Sequence, residues 1–143
     1  MQPKSIKRFD VLYLASLAAY AAGFFLAFDD TVRLAREQYA AAGSSMNPSP
    51  LITGFFMFWI ALSLLLWWLI SSKASNGAKW TLVVLFVLLE VIGTIYSVAT
   101  GATGSLSVGL GLSLLSIVIK GAAIFYLFRP DAIAWLERDK SAR

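Results

Sequence analysis

Four long apolar segments constrain what this chain can fold into. They lie at residues 10–28, 51–70, 80–99 and 106–128. Each is close to the roughly 20 residues that a helix needs to cross a bilayer core of about 30 Å. A segment surrounded by lipid must satisfy its own backbone hydrogen bonds, so each is predicted to be a helix. The sequence therefore predicts one all-α membrane domain over residues 1–143, an antiparallel up-down-up-down four-helix bundle.

The composition supports a membrane protein and excludes several classes of chemistry. Apolar residues make up 59% of the chain and the mean hydropathy is +0.74, both high for a soluble domain. The sequence has no cysteine and no histidine. Thiol redox centres, thiolate metal sites and histidine-based catalysis are therefore excluded. We expect no metal, no cofactor and no catalytic residues, and the chain is predicted not to be an enzyme.

The distribution of cations predicts the orientation of the bundle. The first connection, residues 29–50, carries two cations, Arg33 and Arg36. The third connection, residues 100–105, carries none. The two termini and the second connection carry nine cations: Lys4, Lys7, Arg8, Lys73, Lys79, Arg129, Arg138, Lys140 and Arg143. Cytoplasmic loops carry the excess of Lys and Arg, so both termini are predicted to be cytoplasmic. Since these cations lie at the ends of the spans, they do not indicate nucleic-acid binding.

Aromatic residues near the predicted cytoplasmic ends of the spans support this orientation. Five of them are expected to anchor the bundle at the membrane interface, as aromatic belts do: Trp67, Trp68, Trp80, Tyr126 and Trp135. The basic start of the chain, with Ala19-Tyr20-Ala21 farther on, resembles a signal peptide. Because the apolar run continues to Phe28, we expect a retained first helix.

The first connection, residues 29–50, is the only long one. Asp30 is predicted to cap a helix that Gly43 ends. This helix is either interfacial or a continuation of the first span. The connection is either a docking element on the periplasmic side or a solvated connector.

Two further segments predict local structure. Gly101-Ala102-Thr103-Gly104 predicts a tight hairpin, which would make the third and fourth spans antiparallel neighbours. After Phe128, Pro130 and Asp131 suit the first turn of a helix. We therefore expect a short C-terminal helix on the cytoplasmic membrane surface.

Glu90 and Lys120 are ionisable residues inside the third and fourth apolar segments. A charge at the centre of a membrane helix costs about 2.5–3.5 kcal/mol, so such residues usually face the bundle interior and have a partner. Side chains of a helix lean toward its N-terminus, which tilts these two toward each other in an antiparallel pair. The sequence therefore predicts an intramembrane polar locus at Glu90 and Lys120.

Small and hydroxyl residues share the faces of these two charges. Ser97 follows Glu90 at helical spacing, and Ser113 and Ser116 precede Lys120. Such residues let membrane helices approach and form hydrogen bonds. The first span carries a similar small face, formed by Ala15, Ala19 and Gly23.

Three interpretations of the charged pair remain open. In the first, it is a structural ion pair that fixes the register of the last two spans. In the second, Glu90 is a proton or cation site. In the third, Lys120 reaches the cytoplasmic interface, and a protonated Glu90 is hydrogen-bonded to a hydroxyl.

The two ends of the chain carry boundary motifs. Residues 4–14 (KSIKRFDVLYL), residues 126–135 (YLFRPDAIAW) and Ala78-Lys79-Trp80 resemble a family of uncharacterised small four-span bacterial inner-membrane proteins. The resemblance implies a fold and a compartment but no activity.

The favoured hypothesis is a small inner-membrane protein, non-enzymatic, that acts as a subunit or helper of a membrane complex. The alternative is a small proton- or cation-coupled transporter that uses Glu90. The expected partners are the lipid bilayer and either another membrane protein or a second copy of the chain.

Overall fold

The computed structural model describes residues 2–99 and 108–137, and all of the described elements are helices. The side chain of Ser97 lies outside the description, as does the predicted hairpin Gly101-Ala102-Thr103-Gly104. The elements are α1 (Lys4–Ala41), α2 (Ser49–Ser71), α3 (Asn76–Leu85), a π-helical segment (Phe86–Val91), α4 (Ile92–Ala99), α5 (Val108–Tyr126) and α6 (Pro130–Glu137).

Four helical stretches are long and apolar enough to cross a membrane: Lys4–Ala41, Ser49–Ser71, Asn76–Tyr96 and Val108–Tyr126. In the third of these, α3, the π-helical segment and α4 follow one another without a break. The predicted all-α membrane four-helix bundle is confirmed. The short C-terminal helix is also present, as α6.

Helix α1 continues far beyond the predicted first span. Its 38 residues give a length of about 57 Å, nearly twice a bilayer core of about 30 Å. Of the two interpretations of the first connection, continuation of the first span is therefore correct. The predicted cap at Asp30 is wrong, because that residue lies inside the helix, where its carboxylate pairs with Arg33 at 3.0 Å.

Gly43 ends α1, as the sequence predicts. Its φ of +75° is in the left-handed region that favours glycine. The N–H of Gly43 donates to the carbonyl of Ala40 at 3.0 Å, and the N–H of Ser44 donates to that of Tyr39 at 2.8 Å. These two bonds form a Schellman motif, which satisfies carbonyls that the helix end leaves without partners.

The closest helix pair in the bundle is α1 with α5, the first and last spans. They approach each other at Gly23 and Gly109, where a Cβ atom added to either glycine would lie 3.0 Å from the carbonyl oxygen of the other. Of the small residues predicted on the first span, Gly23 lies in this contact, whereas Ala15 is exposed. The third and fourth spans also meet, but through longer side chains such as Phe86, which packs over Gly121.

Most of the buried apolar side chains lie at the end of the bundle that carries both termini. Ile6 and Phe9 of α1, Ile70 of α2 and Leu127 after α5 are fully buried there. Along the spans, large apolar side chains are instead exposed, with Phe25 70% and Val118 69% accessible. This inside-out distribution fits a protein whose sides are covered by lipid.

Helix α6 is fastened to the start of α1. The hydroxyl of Ser5 donates to the Asp131 carboxylate at 2.7 Å, and the backbone N–H of Ser5 donates to it at 3.2 Å. The Ser5 hydroxyl is the main reason that the pKa of Asp131 lies below its ordinary value of 3.8. The C-terminal helix therefore packs on protein, and Ala132 and Leu136 are its buried apolar contacts.

Candidate functional site

Glu90 and Lys120 are in direct contact inside the bundle. The ammonium nitrogen of Lys120 lies 2.5 Å from Oε1 of Glu90, and the side chains are 1% and 15% exposed, respectively. Lys120 therefore points into the bundle and pairs with Glu90, which is not the arrangement of the third interpretation. Two of the three interpretations remain, the structural ion pair and the titrating site.

Glu90 is held by the π-helical segment Phe86–Val91. A π-helical turn is wider than an α-helical turn, and such turns occur frequently at functional sites. The segment contains no buried residue, so it lies at the edge of the bundle. Glu90 approaches Lys120 from this edge, which explains why the carboxylate is more exposed than the ammonium.

Two tyrosines of α1 also lie near the ammonium of Lys120. The lysine nitrogen lies 5.8 Å from the ring centroid of Tyr13 and 6.0 Å from that of Tyr20. Both distances are within the range of a cation–π contact. The charge of Lys120 is thus surrounded by one carboxylate and two aromatic rings, contributed by the first and third spans.

Two of the hydroxyl groups near the pair join one helix to another. Ser116 Oγ donates to the carbonyl of Ser16 on α1 at 2.8 Å, and the Tyr13 hydroxyl donates to the carbonyl of Ser63 on α2 at 3.2 Å. Ser113 Oγ donates to the carbonyl of Gly109 on its own helix at 3.0 Å. Ser116 therefore supports the contact of α1 with α5, whereas Ser113 bonds within its own helix, and no described bond joins either of these two serines to Glu90.

The two charges of the pair neutralise each other where the third and fourth spans meet, beside the first span. Removal of a single partner from such a pair leaves an uncompensated charge, which costs about 3–5 kcal/mol. Within residues 2–99 and 108–137, no group of three or more Asp or Glu residues is placed to hold a metal ion. The pair can fix the rotation and register of α5. The carboxylate of Glu90 can also carry a proton if it exchanges with water.

A second polar cluster lies at the end of the bundle that carries the termini. The indole of Trp67 donates to Asp10 at 2.9 Å, and the Ser71 hydroxyl donates to the same carboxylate at 3.0 Å. The Gln2 amide donates to the Ser71 carbonyl at 2.8 Å. Trp67, predicted as an interfacial anchor, therefore also bonds α2 to α1.

The other predicted anchors lie at the same end of the molecule. Trp68 and Trp80 are 45% and 52% exposed, whereas Tyr126 and Trp135 are half-buried. The guanidinium of Arg8 lies 5.6 Å from the ring centroid of Tyr126. Their role as membrane anchors stays a prediction.

Tyr13 and Tyr20 were not predicted from the sequence as neighbours of Lys120. Their separation of seven residues puts both on one face of a helix, so this spacing was a usable signal. Asp10, a carboxylate at the start of the first span that bonds to α2, was not predicted either.

Comparison with known proteins does not extend this description. No family model matches the chain, and the searches of curated proteins and of solved structures find no match either.

Proposed function

We propose that this chain is a non-enzymatic protein of a bacterial inner membrane that acts as a subunit or helper of a larger membrane complex. The proposal depends on one observation, the helical extension of α1 beyond the first span. We call this extension, residues 29–41, the α1 arm. These residues continue α1 beyond the first span as an unbroken helix. They extend by about 20 Å at 1.5 Å per residue.

The α1 arm has the properties of a contact surface. Arg33, Arg36, Glu37 and Gln38 are all exposed along it. A helix of about this length is marginal in water without tertiary packing. A well-terminated, highly charged helix at this position therefore fits an element that docks on another protein.

The interior of the bundle supports a structural role. The ion pair and the hydrogen bonds of Tyr13 and Ser116 engage interior polar groups in contacts between spans. These contacts hold the spans together.

The orientation is part of the proposal. The positive-inside rule supports cytoplasmic termini, which puts the α1 arm on the periplasmic side. The resemblance of the chain ends to small four-span proteins supports a bacterial inner membrane. The partner of the arm is another membrane protein or a second copy of this chain.

Site-specific photo-crosslinking in living cells tests the proposal. A photoreactive amino acid at Arg36 or Gln38 is expected to give a discrete protein adduct, whose mass separates a second copy from another protein. The same amino acid at Phe25, which is 70% exposed within the span, is the control and is expected to label lipid. Protein adducts absent from both arm positions would contradict the proposal.

A proton- or cation-coupled transporter is the second candidate. One observation favours it: Glu90 lies on a π-helical segment and keeps 15% of its side chain exposed. In proteoliposomes, Glu90→Gln is then expected to abolish flux driven by a pH gradient. Glu37→Gln, on the exposed arm, is the matched control and should leave the flux intact. Equal fluxes in the wild type and Glu90→Gln would eliminate this candidate.

A further inference from the structure

Lys79 is a buried cation without a close anionic partner in the described structure. It is 6% exposed, which makes it the second buried lysine among residues 2–99 and 108–137, after Lys120. Whereas Lys120 contacts Glu90, no described carboxylate lies within 4.0 Å of the Lys79 ammonium. Glu137 acts on Lys79 electrostatically from a greater distance.

Two aromatic rings frame the Lys79 ammonium. Its nitrogen lies 5.3 Å from the ring centroid of Trp80 and 4.9 Å from that of Phe128. The two rings meet edge to face, with their centroids 5.8 Å apart. Trp80 and Phe128 are 52% and 41% exposed, so the frame opens toward the outside of the bundle.

The position of this frame in the bundle matches the level of lipid headgroups. Lys79 lies in the first turns of α3, where the third span begins, and Phe128 lies just after α5, where the last span ends. Basic pockets between membrane helices at this level bind the headgroups of anionic lipids. A buried charge without a close counter-ion is costly, so an anion placed here would stabilise the fold.

We propose that Lys79, framed by Trp80 and Phe128, binds the phosphate of an anionic phospholipid. The phosphodiester supplies the counter-charge that the described residues do not, and the two exposed rings contact the glycerol and the first methylene groups. The negative charge of Glu137 repels the anion and lowers the affinity of the site for it. The site is independent of the α1 arm and of the Glu90–Lys120 pair.

Lipid titration of the purified chain, followed by native mass spectrometry, tests the site. The wild type is expected to retain phosphatidylglycerol in preference to phosphatidylcholine with the same acyl chains. Lys79→Met should lower this preference about five-fold, since one cation near the surface contributes about 1 kcal/mol. Lys73→Met is the matched control: Lys73 is exposed over Trp68 at the same end, and its loss should change the preference little.

Any of the following results would overturn the proposal. The first is an unchanged preference in Lys79→Met, and the second is an equal loss in Lys73→Met, which would indicate general surface charge. The third is removal of the preference by inorganic phosphate at the concentration of the lipid, which would indicate a site for the free anion. Glu137→Gln is expected to strengthen the preference, and a weakened preference would count against the site.

A second measurement does not depend on the folding of Lys79→Met. Phosphatidylglycerol with brominated acyl chains should quench the fluorescence of the wild type more than brominated phosphatidylcholine does. This difference should disappear in Trp80→Phe, because Trp80 borders the site. Equal quenching by the two lipids in the wild type would contradict the proposal.

Discussion

Gly23 and Gly109 face each other so closely that a Cβ atom added to either one would lie 3.0 Å from the carbonyl oxygen of the other. A Cβ on Gly109 would also lie 2.8 Å from the Cβ of Ala27. These contacts set the distance between α1 and α5, the closest pair of helices. The same pair carries the bond from Ser116 to Ser16 and brings Tyr13 to Lys120.

Gly109→Ala is expected to destabilise the bundle by about 1–3 kcal/mol, because the backbones must move apart to admit the methyl group. Gly111→Ala on the same helix is the control, since a Cβ there meets nothing within 4 Å. It should be neutral or stabilise the fold by up to about 1 kcal/mol through helix propensity. Unfolding in mixed micelles measures both, and equal effects would show that the two helices do not cross at Gly109.

Trp67→Phe is expected to cost about 1.5–3 kcal/mol, the contribution of a hydrogen bond to a charged group. The substitution leaves Asp10 with only its Ser71 bond. Trp68→Phe is the matched control, because Trp68 is 45% exposed and contacts the Lys73 ammonium. Its cost should not exceed about 1 kcal/mol. If the two variants unfold alike, Trp67 acts only as an interfacial aromatic residue.

The bond between Ser5 and Asp131 should make the docking of α6 dependent on pH. Because the pKa of Asp131 is lowered in the folded chain, its contribution to stability is complete above the ordinary value of 3.8. That contribution is lost as the pH falls below 3.8 and through the lower pKa of the folded state. The melting temperature of the wild type should therefore fall toward that of Asp131→Asn in this acid range. A constant difference between the two proteins down to pH 2 would contradict this account.

Local sequence signals predicted the helices and several of their ends. The lengths of the apolar runs identified four spans, Gly43 marked the end of α1, and Pro130 marked the start of α6. The two ionisable residues predicted a polar locus because burial of a lone charge is costly. The exception within α1 is Asp30, which was predicted to cap a new helix. The helix instead continues through Asp30, because the residues after it extend it without a break.

The remaining features depend on how the helices rotate and pack. Nothing local in residues 86–91 distinguishes a π-helical segment from an α-helix. The contact of Asp10 with Trp67 joins residues 57 positions apart, and it forms only when α1 and α2 have the observed rotation. The frame around Lys79 likewise requires the end of α5 to lie beside the start of α3.

The ion pair between Glu90 and Lys120 is the central contact of the bundle interior. Glu90→Gln and Lys120→Met each leave one charge without its partner inside the bundle. Each is therefore expected to cost about 3–5 kcal/mol, whereas the double variant leaves no such charge. The cost of the double variant should be well below the sum of the two single costs.

A double-mutant cycle of thermal or chemical unfolding in micelles measures this coupling most directly. The double variant is expected to be more stable than at least one of the single variants. Additive costs, with no coupling between Glu90 and Lys120, would contradict the ion pair and show that the two side chains do not interact.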